Sequence, residues 1–281
     1  MDKTLSDSDL VRDDEVFLRM SIVERLQHFL LIITLTALIL TGLPLVFSGT
    51  KIFKSMFAFK KAFYIRGVAH RVAAVMMIAT IVWQIGATIF TRRGRRNFKE
   101  MLPNIKDARD ALQTFGHNIG LTGFLYKKGL LKSFFEKHPF WLFAAEPEFG
   151  RYSFIEKFEY LGVAWGSLVM IASGFFMWNV ELSLKLFPLW VHDIFIIIHG
   201  YEAILAFLTI IIWHMYNVHF NPEVFPMSRV WLNGRITGRE LRTLHPLEYK
   251  KIVEERMKAR AAAAPVEPAS ARAGAAQAPR S

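Results

Sequence analysis

Nine histidines and no cysteine set the chemistry open to this 281-residue chain. Without thiols there are no structural disulfides, thiolate zinc sites, cysteine-ligated iron–sulfur clusters or covalent C-x-x-C-H haem attachments. Any redox centre must then be held another way, and the histidines are the first candidates. Four of them, His28, His70, His199 and His214, fall in or beside long apolar runs. His199 and His214 are 15 residues apart. On one α-helix that spacing is about 22 Å of rise and about 60° of rotation, so the two face broadly one way at different depths. His219 faces away from His199, and pairing His192 with His214 would stretch the separation to about 33 Å. His117, His138 and His245 fall in connecting segments and read as solvated or local.

The elements that position these residues follow from hydropathy. The chain is 53% hydrophobic yet carries a net charge of +11. That combination arises when apolar residues gather into bilayer-length runs and cations gather between them. Four runs qualify, at residues 26–50, 72–91, 160–180 and 189–221, the last holding Asp193 and Glu202 in its first half. The fold class predicted is an all-α integral membrane protein, four transmembrane helices forming a bundle.

The connector after the second run carries Arg92, Arg93, Arg95, Arg96, Lys99, Lys106 and Arg109, whereas the third connector holds only Lys185 as a cation. The positive-inside bias therefore places both termini and the long loop 92–155 in the cytoplasm, although Lys51, Lys54, Lys60 and Lys61 in the first connector pull the other way. The expected organisation is a cytoplasmic segment 1–20, a four-span domain 21–222, a cytoplasmic segment 223–257 and a disordered Ala/Pro-rich tail 258–281. Amphipathic interfacial helices are expected around residues 121–143, where Phe and Leu mix with Lys. No cleavable signal and no internal repeat is evident. The positive charge lies at membrane boundaries, so it speaks for topology and anionic lipid rather than nucleic acid.

With this topology, His28 and His214 share the cytoplasmic level, and His70 and His199 share the outer level. Each pair comes from two different helices. Two neutral imidazoles facing across a bundle are what bis-histidine ligation of a b-type haem requires, one ring nitrogen on each side of the iron. A haem-free transporter whose intramembrane His and Glu carry protons is the other chemistry compatible with the pattern. Arg71, beside His70, would pair with a haem propionate or reach to the interface, and Glu202 would pair with Arg71 or relay protons.

The residues also carry a resemblance. FLRMSIVERLQHFLLIITLTALILTGLPL, AHRVAAV, FIEKFEYLGVAWGSLVMIASGFFMW and HGYEAILAFLTIIIWHMYNVHF resemble the four spans of the cytochrome b subunits of bacterial formate dehydrogenases and nickel–iron hydrogenases. HFNPEVFPM and HPLEYKK are similar to the branch that partners multihaem c-type cytochromes, and the likeness covers about residues 17–252. It implies a dihaem bundle in the bacterial inner membrane. His28 and His214 would ligate the cytoplasmic-side b haem, and His70 and His199 the outer-side one. The best-known members space the last two ligands slightly more tightly than 15 residues.

The implied function is electron transfer between the quinone pool and a periplasmic multihaem c-type or iron–sulfur subunit. A self-sufficient dihaem quinone oxidoreductase acting on superoxide or ferric iron is the alternative within the same fold. Quinone-site candidates near the cytoplasmic level are His117, Asn118, Tyr216 and Asn217.

Overall fold

The computed structural model describes residues 10–51, 54, 60–142 and 147–263. Four of its helices are long and apolar enough to cross a membrane: Ile22–Val46 (α1), Lys61–Phe90 within helix Lys60–Phe90 (α2), Phe154–Trp178 (α7), and Leu189–Phe220, which opens with helix Leu189–Leu208 (α9). Their apolar side chains are left largely uncovered by protein, and none of the most apolar stretch of the fourth span is buried. Faces apolar all round and exposed are what a lipid solvent covers.

The helices start and stop where local chemistry dictates, which shifts them from the charge-free runs. α1 begins at Ile22 because Ser21 caps it: its hydroxyl accepts from the Glu24 amide, and the Glu24 carboxylate accepts from the Ser21 amide. Ser153 and Glu156 form the same box at the start of α7. Within the bundle α1 packs most closely on α2, and α7 on α9.

The long connector folds as helices Arg92–Met101 (α3), Ile105–Ile119 (α4), Leu121–Lys127 (α5) and Lys132–Lys137 (α6). Arg93 and Asn97 of α3 both bind Glu24, at 3.0 and 2.7 Å, fastening the connector to the first turn of α1. After α7 comes the short helix Val180–Leu186 (α8), which leads to α9.

The segments outside the spans are not purely helical. Val16–Leu18 (β1) pairs antiparallel with Arg235–Thr237 (β2), between helices Val230–Asn233 (α10) and Gly238–Leu244 (α11). With helix Pro246–Ala263 (α12), they enclose the small core of Val11, Ile236, Leu241, Tyr249 and Val253. Thus the N-terminal segment and the C-terminal segment form one cap at the same end of the bundle. α12 runs into the stretch expected to be disordered, and residues 264–281 lie outside the described residues.

His245, expected to be solvated, is buried in this cap. Its Nδ1 lies 2.8 Å from the Gly150 carbonyl and its Nε2 3.2 Å from Arg19, so the ring donates to the first and accepts from the second. Burial and then the Arg19 charge hold its pKa below the ordinary histidine value, outweighing the opposite pull of Glu156, the Gly150 hydrogen bond and Glu248. A depressed folded-state pKa means the unfolded state binds the proton first, so this contribution is intact above about pH 6.5 and is lost as pH falls below it. Amide protection factors, corrected for intrinsic exchange, are expected to be lower in β1, β2 and α12 at about pH 5.5 than at about pH 7.5, and His245→Gln is expected to flatten that dependence.

A repeat absent from the sequence reading emerges from the fold. α1 and α7 have 25 residues each and begin 132 positions apart. At the same offset Arg19 matches Arg151, Ser21 Ser153, Glu24 Glu156, Gln27 Glu159, Thr41 Ser173 and Gly42 Gly174. The matches are scattered among unrelated apolar residues, which hid them, yet each matched pair of capping and hydroxyl residues has the same structural role in both helices.

Candidate functional site

His70 on α2 and His199 on α9 face each other with ring centroids 6.4 Å apart and planes at 68°. His28 on α1 and His214, near the end of the fourth span, also lie 6.4 Å apart, with planes at 52°. Thr41, which touches His70, is 13 residues along α1 from His28, so the two pairs are separated by about 20 Å of helix rise. The four sequence-predicted histidines are therefore brought together in the two expected pairs, one near each end of the bundle.

The centroid distance has chemical meaning. A metal–imidazole bond is about 2.0–2.1 Å. With the ring centre about 1 Å behind the nitrogen, imidazoles on opposite sides of one metal have centroids about 6 Å apart. Direct ring stacking would bring them closer, and a hydrogen bond between rings needs no open space. Among the described residues no group of three or more His, Asp and Glu side chains converges. The arrangement suits a two-imidazole metal site whose other ligands come from the cofactor.

Hydrogen bonds fix which nitrogen is offered. The Thr41 hydroxyl donates to the Ala37 carbonyl at 2.6 Å and lies 2.8 Å from His70 Nδ1. Its single proton is thereby committed to the carbonyl, so it accepts from Nδ1–H and leaves the Nε2 lone pair free. Ser173 does the same for His199: it donates to the Val169 carbonyl at 2.7 Å and lies 2.9 Å from His199 Nδ1. His214 Nδ1 lies 3.1 Å from the Glu159 carboxylate, a stronger acceptor that makes the ring a better electron donor. His28 Nδ1 is buried without a partner among the described residues.

Gly42 and Gly174 complete the cradle. A Cβ on Gly42 would come within 3.2 Å of the His70 ring, and one on Gly174 within 3.1 Å of the His199 ring. The signal for these supports was a hydroxyl residue followed by glycine, Thr41-Gly42 and Ser173-Gly174, repeated at one offset. Thr41→Val is expected to lower stability by about 1 kcal/mol, read as a fall in Tm, through loss of the Nδ1 partner.

No family model matches this chain, and no curated protein is significantly similar to it. Function must then rest on the site.

The 15-residue interval between His199 and His214 is not all α-helix. Residues Thr209–His214 and Tyr216–Phe220 form π-helical turns. A π-turn takes in one residue more than an α-turn. It brings His214 back toward the face it would occupy at a 14-residue α-helical spacing, so the 60° rotation read from ideal geometry does not apply.

Arg71 and Glu202 are not paired. The Arg71 guanidinium sits over the Trp178 ring, 5.4 Å from its centroid, joining the far ends of α2 and α7. Glu202 lies against Gly166, its Oε1 in the space where a side chain there would begin. Of the other polar candidates, Asn217 donates to the Trp213 carbonyl at 2.9 Å, Tyr216 is half-exposed and Asn118 lies exposed on α4.

Proposed function

We propose that this chain is a membrane-embedded dihaem cytochrome b that carries electrons between a quinone pool and a redox partner on the face opposite its termini. The observation that carries this reading is the pair of facing imidazole couples, each at 6.4 Å between ring centroids, with Nδ1 of His70, His199 and His214 already engaged by Thr41, Ser173 and Glu159. His28 and His214 would hold one b-type haem, and His70 and His199 the other. Such a bis-imidazole group supplies one-electron transfer when bound.

This chain's own residues would do the rest. Thr41 and Ser173 set the tautomers of the far pair, and Glu159 that of His214. Arg71, exposed beside His70, is a cation placed to meet a propionate or the partner surface. Near the terminal pair, Gln27 is buried with both amide atoms unpartnered among the described residues, as are His28 Nδ1 and one oxygen of Glu159. These orphaned groups are the ones that would meet a quinol head group at this end of the bundle, with Glu159 the carboxylate that would take its proton. By the positive-inside bias, the terminal face is cytoplasmic and the partner, a multihaem c-type cytochrome or an iron–sulfur subunit, is periplasmic. With no cysteine in the chain, the terminal substrate chemistry belongs to that partner.

The deciding measurement is a reduced-minus-oxidised spectrum with haem stoichiometry on the purified chain. Two b-type haems per chain are expected, and absence of b-type bands overturns the reading. A chain that purifies alone and shows quinone-dependent turnover with superoxide or ferric iron would instead be the self-sufficient oxidoreductase.

A further inference from the structure

α4 is amphipathic the wrong way round for a helix packed on a soluble protein. Its acidic side is turned inward: Asp107 binds Lys157 of α7 through both carboxylate oxygens at 2.9 Å, and Asp110 is buried against Lys106. The opposite side presents Ile105, Leu112, Phe115 and Ile119, which are 80%, 50%, 67% and 54% exposed. At about 100° per residue these four fall within about 80° of arc, with Asp107 and Asp110 across the helix from them. A helix that buries its polar face against protein and offers a continuous apolar stripe outward is matched to an apolar surrounding rather than to water.

Its depth says which surrounding. Lys157 is in the first turn of α7, so the ion pair fixes α4 at the level where that span enters the membrane. The next elements continue the pattern. Leu121, Phe124, Leu131 and Phe134 are exposed, while Phe135 is buried against Tyr126 and the Thr122 hydroxyl donates to the Leu142 carbonyl at 2.6 Å, closing the α5–α6 hairpin. Exposed Lys127, Lys128, Lys132 and Lys137 fringe this apolar surface. From residue 105 to 142 there are six Lys and Arg against three Asp and Glu, and two of those acids are turned inward in ion pairs. Apolar side chains rimmed by lysine are the chemistry of an anionic headgroup layer.

We propose that α4 and the α5–α6 hairpin form a lipid-facing collar lying in the headgroup zone of an anionic bilayer leaflet, at the terminal end of the bundle. The collar holds whether or not the bundle binds haem. It also extends the interfacial segment anticipated at residues 121–143 back over the whole of α4.

The absence of native cysteine makes the test direct. Single-cysteine chains Phe115→Cys and Ile119→Cys are spin-labelled and reconstituted into nanodiscs of phosphatidylcholine with increasing phosphatidylglycerol. Val75→Cys, on the exposed side of α2, serves as the lipid reference and Glu254→Cys, on α12, as the aqueous one. Labels at 115 and 119 are expected to be relaxed by oxygen and shielded severalfold from a water-soluble nickel chelate, and to move deeper as phosphatidylglycerol rises. Replacing Lys127, Lys128, Lys132 and Lys137 by Gln is expected to remove that dependence on anionic lipid.

Nickel accessibility at 115 and 119 equal to that at 254 would overturn the collar. So would shielding from both reagents with cysteine cross-links between two copies, which would make the face a self-association surface. Insensitivity to phosphatidylglycerol would overturn the headgroup assignment. If the label at 75 itself behaved as aqueous, the assignment of the spans would be at fault instead.

Discussion

On the dihaem reading proposed above, His70→Ala and His199→Ala chains are each expected to lose the same one of two haems, and His28→Ala and His214→Ala chains the other. Haem content should halve in every case, with the remaining b-type band unshifted in position. The effect is large because a haem held between two rings 6.4 Å apart would lose one of its two protein ligands. Loss of a supporting hydrogen bond is milder: metal affinity falls about 10–100-fold when an outer partner of a ligating histidine is removed. Thr41→Val and Glu159→Gln should therefore weaken one site each without abolishing it. If His28→Ala and His70→Ala chains lost the same haem, the pairing by depth would be wrong.

The second large effect is expected at Arg19. Its guanidinium is 7% exposed and reaches Glu248 at 3.0 Å, Glu156 at 3.3 Å, the Arg151 carbonyl and the His245 ring, while lying over the Tyr152 ring. Breaking a buried charged network by removing one partner costs about 3–5 kcal/mol, since the remaining charges stay desolvated and unpaired. Arg19→Ala should therefore release the cap of β1, β2 and α12 from the first turn of α7 while leaving the spans folded. The measurement is limited proteolysis or amide exchange, with protection lost across the cap and kept in the spans. Equal protection in both chains would show that the apolar core around Leu241 and Tyr249 holds the cap alone.

Much of the bundle was legible because bilayer crossing leaves a strong imprint: long charge-free runs survive any error in helix ends. The two histidine pairs were legible for the same reason, since span direction assigns depth without knowledge of packing. What orients the rings was not. Thr41 and Ser173 are ordinary small polar residues in apolar helices, and only packing shows that each meets an imidazole 26 or 29 positions later. Glu159 falls one position before the third charge-free run, where a carboxylate reads as a boundary residue.

The rotation between His199 and His214 was misjudged because ideal periodicity has no term for a π-turn. Thr209–His214 is a run of β-branched and aromatic residues that hydropathy scores the same either way. The strand pair was missed because three-residue strands such as VFL and RIT leave no alternation to read. His245 was misplaced because burial of a connector depends on Arg19, 226 positions away.

The repeat of α1 in α7 has a consequence for how the two histidine pairs differ. Arg19 donates to the carbonyl of Arg151, and Arg151 donates at 3.4 Å to the carbonyl of Arg19. Contacts that exchange in this way are the mark of a two-fold axis. The contacts of His70 and His199 match as well, each ring meeting its own hydroxyl–glycine step, 29 and 26 residues before it. The far pair thus takes matching support from the two halves, like the seam of a homodimer. The terminal pair does not: the position matching His28 is Tyr160, and that matching Gln27 is Glu159. A chain assembled as a linked pseudo-dimer has kept one centre symmetric, where Thr41 and Ser173 should prove interchangeable. It has made the other polar and one-sided, and directionality can enter there.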